Sequence, residues 1–179
     1  MIGTLLDVTR ITSGRFTISR REVDLARVVE AVVARSQTAL QRSGSRLTRS
    51  GDPHVTGAWD SSALEAAVGN LLSNALKFGE GRPIEITIAK AADRARLVVA
   101  DQGIGIALDE QARIFERFER AVPMERYGGV GIGLWVVRHV VEAHGGTIRV
   151  ESRPGAGSTF SVELPLDVPA GGVLESPSP

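Results

Sequence analysis

Asn70, Asn74 and Lys77 are set at helical spacing in the segment Asn70-Leu71-Leu72-Ser73-Asn74-Ala75-Leu76-Lys77. At about 100° per residue they fall within roughly 60° of one another. Leu64, Val68, Leu71, Leu72 and Ala75 gather on nearly the opposite side. One face is thus predicted to pack on a core while the other presents two amides and an ammonium. An amide oxygen is a hard, neutral ligand suited to Mg²⁺, which also takes phosphate oxygens and waters. A lysine one turn further on supplies a point charge for phosphate. A solvated polar face is the plain alternative.

Two further segments carry chemistry. The apolar run Leu97-Val98-Val99-Ala100 leads into Asp101-Gln102-Gly103-Ile104-Gly105. A carboxylate at a strand end can accept a hydrogen bond from an exocyclic amine such as adenine's, and the glycines permit close backbone approach. A simple turn with Asp as turn-former is the alternative. The second segment holds Gly128, Gly129, Gly131 and Gly133 before a strongly apolar helix. Glycines at a helix start expose backbone N–H groups to phosphate. The run lacks the preceding strand and the G-x-G-x-x-G spacing of a dinucleotide fingerprint, and no G-x-x-x-x-G-K-[ST] occurs anywhere.

Regular elements must position these residues. Met1–Ile11 reads as a helix end and Phe16–Val23 as a strand. Asp24 is expected to cap a helix bearing Leu25, Val28, Val29, Val32, Val33 and Leu40. A polar loop with a short strand near Leu47 follows, then a helix capped by Asp60 that runs to about Phe78. Ile84–Ala89 and Arg96–Ala100 read as a strand pair turning at Ala92-Asp93. A short helix over Asp109–Phe118, a loop over Glu119–Val130 and a helix over Ile132–His144 come next. A hairpin of Thr147–Ser152 and Ser158–Leu164 closes the pattern, and the Pro/Gly/Ser-rich residues 166–179 read as a disordered tail.

Composition narrows the chemistry. The 179 residues are 42% hydrophobic and 23% charged, an ordinary balance for one domain with small extensions. No cysteine is present, which excludes disulfides, thiolate metal sites and cysteine nucleophiles. Twenty-one basic residues balance 21 acidic ones, against a strongly basic nucleic-acid binder. Residues 1–50 carry nine arginines against four acids, read either as a solvated face or as a surface for an acidic partner. No signal peptide or apolar run long enough to span a bilayer is seen, so this piece is expected to be cytoplasmic, with no membrane contact of its own. A membrane-anchored parent fits the same pattern.

In this order and spacing the segments resemble the catalytic ATP-binding domain of sensor histidine kinases. Asn70, Asn74 and Lys77 resemble the asparagine box, and Asp101-x-Gly103-x-Gly105 the first glycine box. Ile114-Phe115-Glu116-Arg117-Phe118 resembles the phenylalanine box, and Gly129-Val-Gly131-Ile-Gly133-Leu134 the second glycine box. Gly155-Ala-Gly157-Ser158-Thr159-Phe160 resembles the closing hairpin, and Leu5–Ile11 the tail of the preceding dimerisation hairpin. The likeness covers roughly residues 1–165, with residues 1–13 as the hairpin stub and 14–165 as the catalytic domain.

The resemblance implies an α+β two-layer sandwich of the Bergerat type, a mixed sheet with helices on one face and ATP under a mobile lid. Asp101 would bind the adenine amine. Asn74 would hold Mg²⁺ with Asn70 in support, and Lys77 and Arg120 would meet the phosphates. Gly129, Gly131, Gly133 and Leu134 would lie along the triphosphate, and Thr159 would hold a water near adenine. Related ATP hydrolases carry a glutamate base where Asn70 stands. An amide cannot take that role, which favours phosphoryl transfer to a protein side chain. Val130 and Trp135 depart from the usual family residues; Trp135 puts a large apolar group near the helix start that could reshape the nucleotide pocket, and the sequence leaves the effect on affinity open. None of His54, His139 and His144 precedes an acid, as a phosphoacceptor histidine would. The expected partners are a histidine-bearing dimerisation domain of a homodimeric parent and a response regulator receiver domain. The chain is then a piece of a longer kinase or a stand-alone module. An ATPase or serine kinase of the same fold and a non-catalytic nucleotide-binding module are the alternatives.

Overall fold

The computed structural model describes residues 17–117 and 131–167. The expected helix end at residues 1–11, the loop at 119–130 and residues 168–179 of the tail lie outside them. Elements run β1 (Arg21–Asp24), α1 (Leu25–Arg35), α2 (Gln37–Ser43), β2 (Leu47–Gly51), β3 (Thr56–Trp59) and α3 (Ser61–Phe78). Then come β4 (Ile84–Ala91), β5 (Arg94–Asp101), α4 (Leu108–Gln111), α5 (Gly133–Ala143), β6 (Thr147–Arg153) and β7 (Gly157–Pro165).

Period-two burial builds the sheet. Ile84, Ile86 and Ile88 alternate inward on β4, as do Ala95, Leu97 and Val99 on β5 and Phe160, Val162 and Leu164 on β7. The five strands are ordered β2-β4-β5-β7-β6, with β2 and β4 parallel and the other pairs antiparallel. β1 and β3 form a separate antiparallel pair. Helices α1, α3 and α5 bury Val29, Val68, Leu71, Val136 and Val140 in the same core as those strand residues. The other sheet face carries Glu85, Arg96, Thr159, Ser161 and Glu163, partly or fully exposed. This is the mixed two-layer sandwich that was expected.

Both predicted caps form. The Asp24 carboxylate accepts from Ala26 N at 2.9 Å and that of Asp60 from Ala63 N at 3.0 Å. The first helix is shorter than its periodicity suggests, because Ser36 turns its hydroxyl back to Val32 O at 2.8 Å and a new helix carries Leu40. The helix expected over 109–118 stops at Gln111. Tight turns replace it, with Arg113 N bonding Glu110 O and Glu116 N bonding Arg113 O, each at 2.9 Å. Phe115 then meets the Phe160 ring edge-on at 6.4 Å. Leu166, just past the expected boundary at 165, is buried and pairs with Asp93 and Ala58 through its backbone. Among the described residues no helix is long and apolar enough to cross a membrane.

Candidate functional site

Helix α3 positions the amides. Its buried stripe of Leu64, Ala67, Val68, Leu71, Leu72 and Ala75 fixes its rotation, which leaves Asn70, Asn74 and Lys77 partly exposed on the other side. Asn70 donates from Nδ2 to Ala66 O at 2.9 Å, which leaves its Oδ1 as the outward atom. That oxygen faces the start of α5: a Cβ on Gly133 would lie 3.0 Å from it. Absence of a side chain at Gly133 is therefore what lets α5 approach the Asn70 amide. Gly131, with φ of +71°, precedes it, and Leu134 packs against the core edge. Lys77 lies over the Phe78 ring, 4.5 Å from its centroid.

The end of β5 meets the end of α3. Asp101 is 8% exposed, and its Oδ1 accepts from Gly103 N at 2.8 Å. Burial pushes its carboxyl above the ordinary range, partly offset by the Gly103 and Ser158 backbone N–H groups. Gly103 packs on the helix terminus so closely that a Cβ there would sit 1.9 Å from Phe78 O. Ile104 N bonds the same carbonyl at 3.1 Å. Gly105, at φ +71°, carries the chain toward the β6–β7 turn, where Gly155 N bonds Ile104 O at 2.7 Å. The Asn70–Asn74–Lys77 face and the Asp101 turn thus share one helix, joined at Phe78.

Strand register separates two adjacent hydroxyls. Ser158 pairs with Asp101 and Thr159 with Ala100. Directly opposed residues share a sheet face, so Ser158 lies beside Asp101 while Thr159 points to the helix-free face. The expected placement of Thr159 near the Asp101 pocket is corrected by this alternation. The sequence leaves the effect of Trp135 on the pocket open, and helical geometry shows which way it faces. Trp135 lies about 200° around α5 from Gly133 and so turns away from Asn70. Its buried ring packs under Arg117, 5.0 Å from the guanidinium, and against His139 at 4.1 Å. Arg120, Gly129 and Val130 lie outside the described residues.

Sequence reasoning missed a network behind Asp101. Ser152 Oγ is 3.0 Å from Ser158 Oγ, donates to Gly157 O at 2.7 Å and accepts from Ile106 N at 2.8 Å. Gln111 donates from Nε2 to Ile106 O at 3.0 Å and to Ser152 O at 2.8 Å. It also missed the tie between helix ends. The fully buried His144 accepts from Asp60 N at its Nε2, 2.9 Å away, and donates from Nδ1 to Val140 O at 2.7 Å. Arg20 donates to Ala143 O at 3.0 Å and Ser19 N to the Asp60 carboxylate at 2.8 Å. Among the described residues no cluster of three His, Cys, Asp or Glu could hold a metal ion.

The mixed sheet, the single helix layer and the Asn-bearing α3 against the Asp101 turn define an α+β sandwich of the Bergerat class. The chain belongs to the histidine kinase-, DNA gyrase B- and HSP90-like ATPase family, whose sequence model matches residues 59–168. It is 35% identical over 168 residues to the sensor-like histidine kinase SenX3 of Mycolicibacterium smegmatis, across 92% of this chain and 44% of that protein. The chain therefore spans less than half the length of that curated relative. The mycobacterial sensor histidine kinase MprB superposes with a TM-score of 0.72 at 32% identity, over 82% of this chain and 97% of that one. Full-length ShkA in complex with AMPPNP gives 0.81 at 28% identity, over 95% of this chain and 36% of that one.

Proposed function

We propose that this chain is the ATP-binding catalytic domain of a sensor histidine kinase, with residues 1–13 the end of a dimerisation hairpin. It transfers the γ-phosphoryl group of ATP to a histidine on that hairpin in a dimeric parent, on the cytoplasmic side. A receiver-domain aspartate then takes the phosphoryl group. The carrying observation is the buried Asp101 at one end of α3's polar face, with Asn70, Asn74 and Lys77 along it.

Asp101 accepts the exocyclic amine of adenine, and Lys77 supplies positive charge to the phosphates. The donor set fits Mg²⁺. Asn70 keeps its Oδ1 outward, the glycine at 133 leaves room beside that oxygen, and Asn74 makes no side-chain hydrogen bond to a described residue. Bound there, the ion would neutralise phosphate charge. Asn70 cannot remove a proton from water, so this site positions rather than activates a nucleophile. In the transfer a histidine nitrogen forms the new P–N bond as the β,γ-bridging P–O bond breaks, and ADP leaves with the electron pair. Arg120 is proposed as a further contact of the γ-phosphate.

Calorimetric titration with ADP and Mg²⁺ tests the reading. One saturable site is expected, with Asp101→Asn weakening it roughly tenfold or more, because an amide NH₂ would then meet the adenine amine. No heat of binding, or equal affinity in the variant, would overturn the assignment. Steady phosphate release abolished in Asn70→Ala would instead identify a hydrolase of the same fold.

A further inference from the structure

We propose that Ser152 acts as a positioning residue for base selection, by forcing the Ser158 hydroxyl to point its proton away from the pocket. This rests on the nucleotide reading above. It follows from counting protons. A serine hydroxyl has one hydrogen and two lone pairs. The hydrogen of Ser152 goes to Gly157 O at 2.7 Å, since a carbonyl can only accept. One lone pair of Ser152 takes Ile106 N–H at 2.8 Å. Its contact with Ser158 Oγ at 3.0 Å must then be donated by Ser158. Ser152 is saturated, and Ser158 keeps only lone pairs for anything else.

Ser158 sits across from Asp101 in the strand register, 6% exposed, and lends its backbone N–H to that carboxylate. Asp101 and Ser158, side by side on this face, therefore offer acceptors alone from their side chains. Such a surface takes an amino group and repels a 6-oxo group, because a carbonyl facing it leaves buried lone pairs opposed. Gln111 makes the arrangement rigid, with its amide gripping the backbone of Ser152 and of Ile106 at once. Removing the Ser152 hydroxyl would free Ser158 to rotate its proton toward a ligand oxygen.

Affinities of the whole chain for ADP and inosine diphosphate, measured with Mg²⁺ at pH 7.5, test this directly. The wild type is expected to prefer ADP. Ser152→Ala should reduce the ADP-to-IDP ratio roughly tenfold, and Ser152→Thr should restore it. Ser158→Ala, which removes the opposing lone pairs, should reduce the ratio as well. A ratio unchanged in Ser152→Ala or Ser158→Ala while ADP still binds would overturn the inference and leave the site assignment standing. A wild type that binds neither nucleotide would overturn both.

Discussion

Gly133 and Asn70 show how one missing side chain shapes the site. A methyl at 133 would approach Asn70 Oδ1 to 3.0 Å, and its φ is not in the left-handed region. Alanine is the better helix former, by up to about 1 kcal/mol in a helix interior. Gly133→Ala is therefore expected to leave the melting temperature unchanged or raised while weakening Mg²⁺-dependent ADP binding several-fold through displacement of the amide. Thermal melts beside calorimetry separate the two effects, and unchanged affinity would show that the amide has room to spare. The polar face of α3 was legible because helical period alone brings Asn70, Asn74 and Lys77 together. Choosing between Ser158 and Thr159 was also within reach. Phe160, Val162 and Leu164 point inward, so Ser158 shares their face and Thr159 does not. The proton direction at Ser158 was not readable, since it depends on Ser152, Gly157 and Ile106 meeting across two strands and a loop.

At the level of elements, α3 is held at its start by more than a local cap. The Asp60 carboxylate serves Ala63 N in the first turn and Ser19 N, 41 residues earlier. Loss of an N-cap costs about 1 kcal/mol, and the second acceptor adds to that. Asp60→Ala should therefore lower unfolding stability by about 1–2 kcal/mol in urea titrations, with Asp60→Asn recovering the Ala63 cap but not the Ser19 bond, because its NH₂ replaces one of the two accepting oxygens. An Asn variant as unstable as the alanine one would show that the Ala63 cap contributes little and that the Ser19 bond or the charge holds the helix. Both Asp caps could be read from sequence because capping is local chemistry. β3 could not. Thr56-Gly57-Ala58-Trp59 is four residues long with a glycine inside, and it is defined by pairing with β1 and by Trp59 Nε1 reaching Pro165 O at 2.7 Å. The split at Ser36 was hidden for a related reason, since Leu40 continues the apolar period across it.

Across the molecule, the same helix ends make stability depend on pH. His144 is neutral in the fold, because its Nε2 must accept from Asp60 N–H while its Nδ1 donates to Val140 O. Burial holds its pKa below the ordinary 6.5, and the nearby Arg20 adds to this, against an upward pull from the Val140 bond and Asp60. A depressed histidine contributes stability that is full above about pH 6.5 and is lost as pH falls, because the unfolded chain takes up the proton first. Asp24 has the same sense at lower pH. Desolvation lifts it, but His54 and the Ala26 and Val55 N–H groups outweigh that and hold it below 3.8. Asp101 has the opposite sense, since its raised carboxyl favours the fold under acid and that gain disappears as pH rises through its range. Between pH 7.5 and 5.5 the His144 contribution begins to be lost, since the unfolded histidine takes up its proton near 6.5. The melting temperature is expected to fall across that interval, and His144→Gln should lower it overall while flattening the fall. An equal slope in the variant would remove His144 from this role. Because His144 joins the end of α5 to the start of α3, and Gly133 and Asn70 lie on those same helices, ADP affinity should decline over the same interval before the chain unfolds.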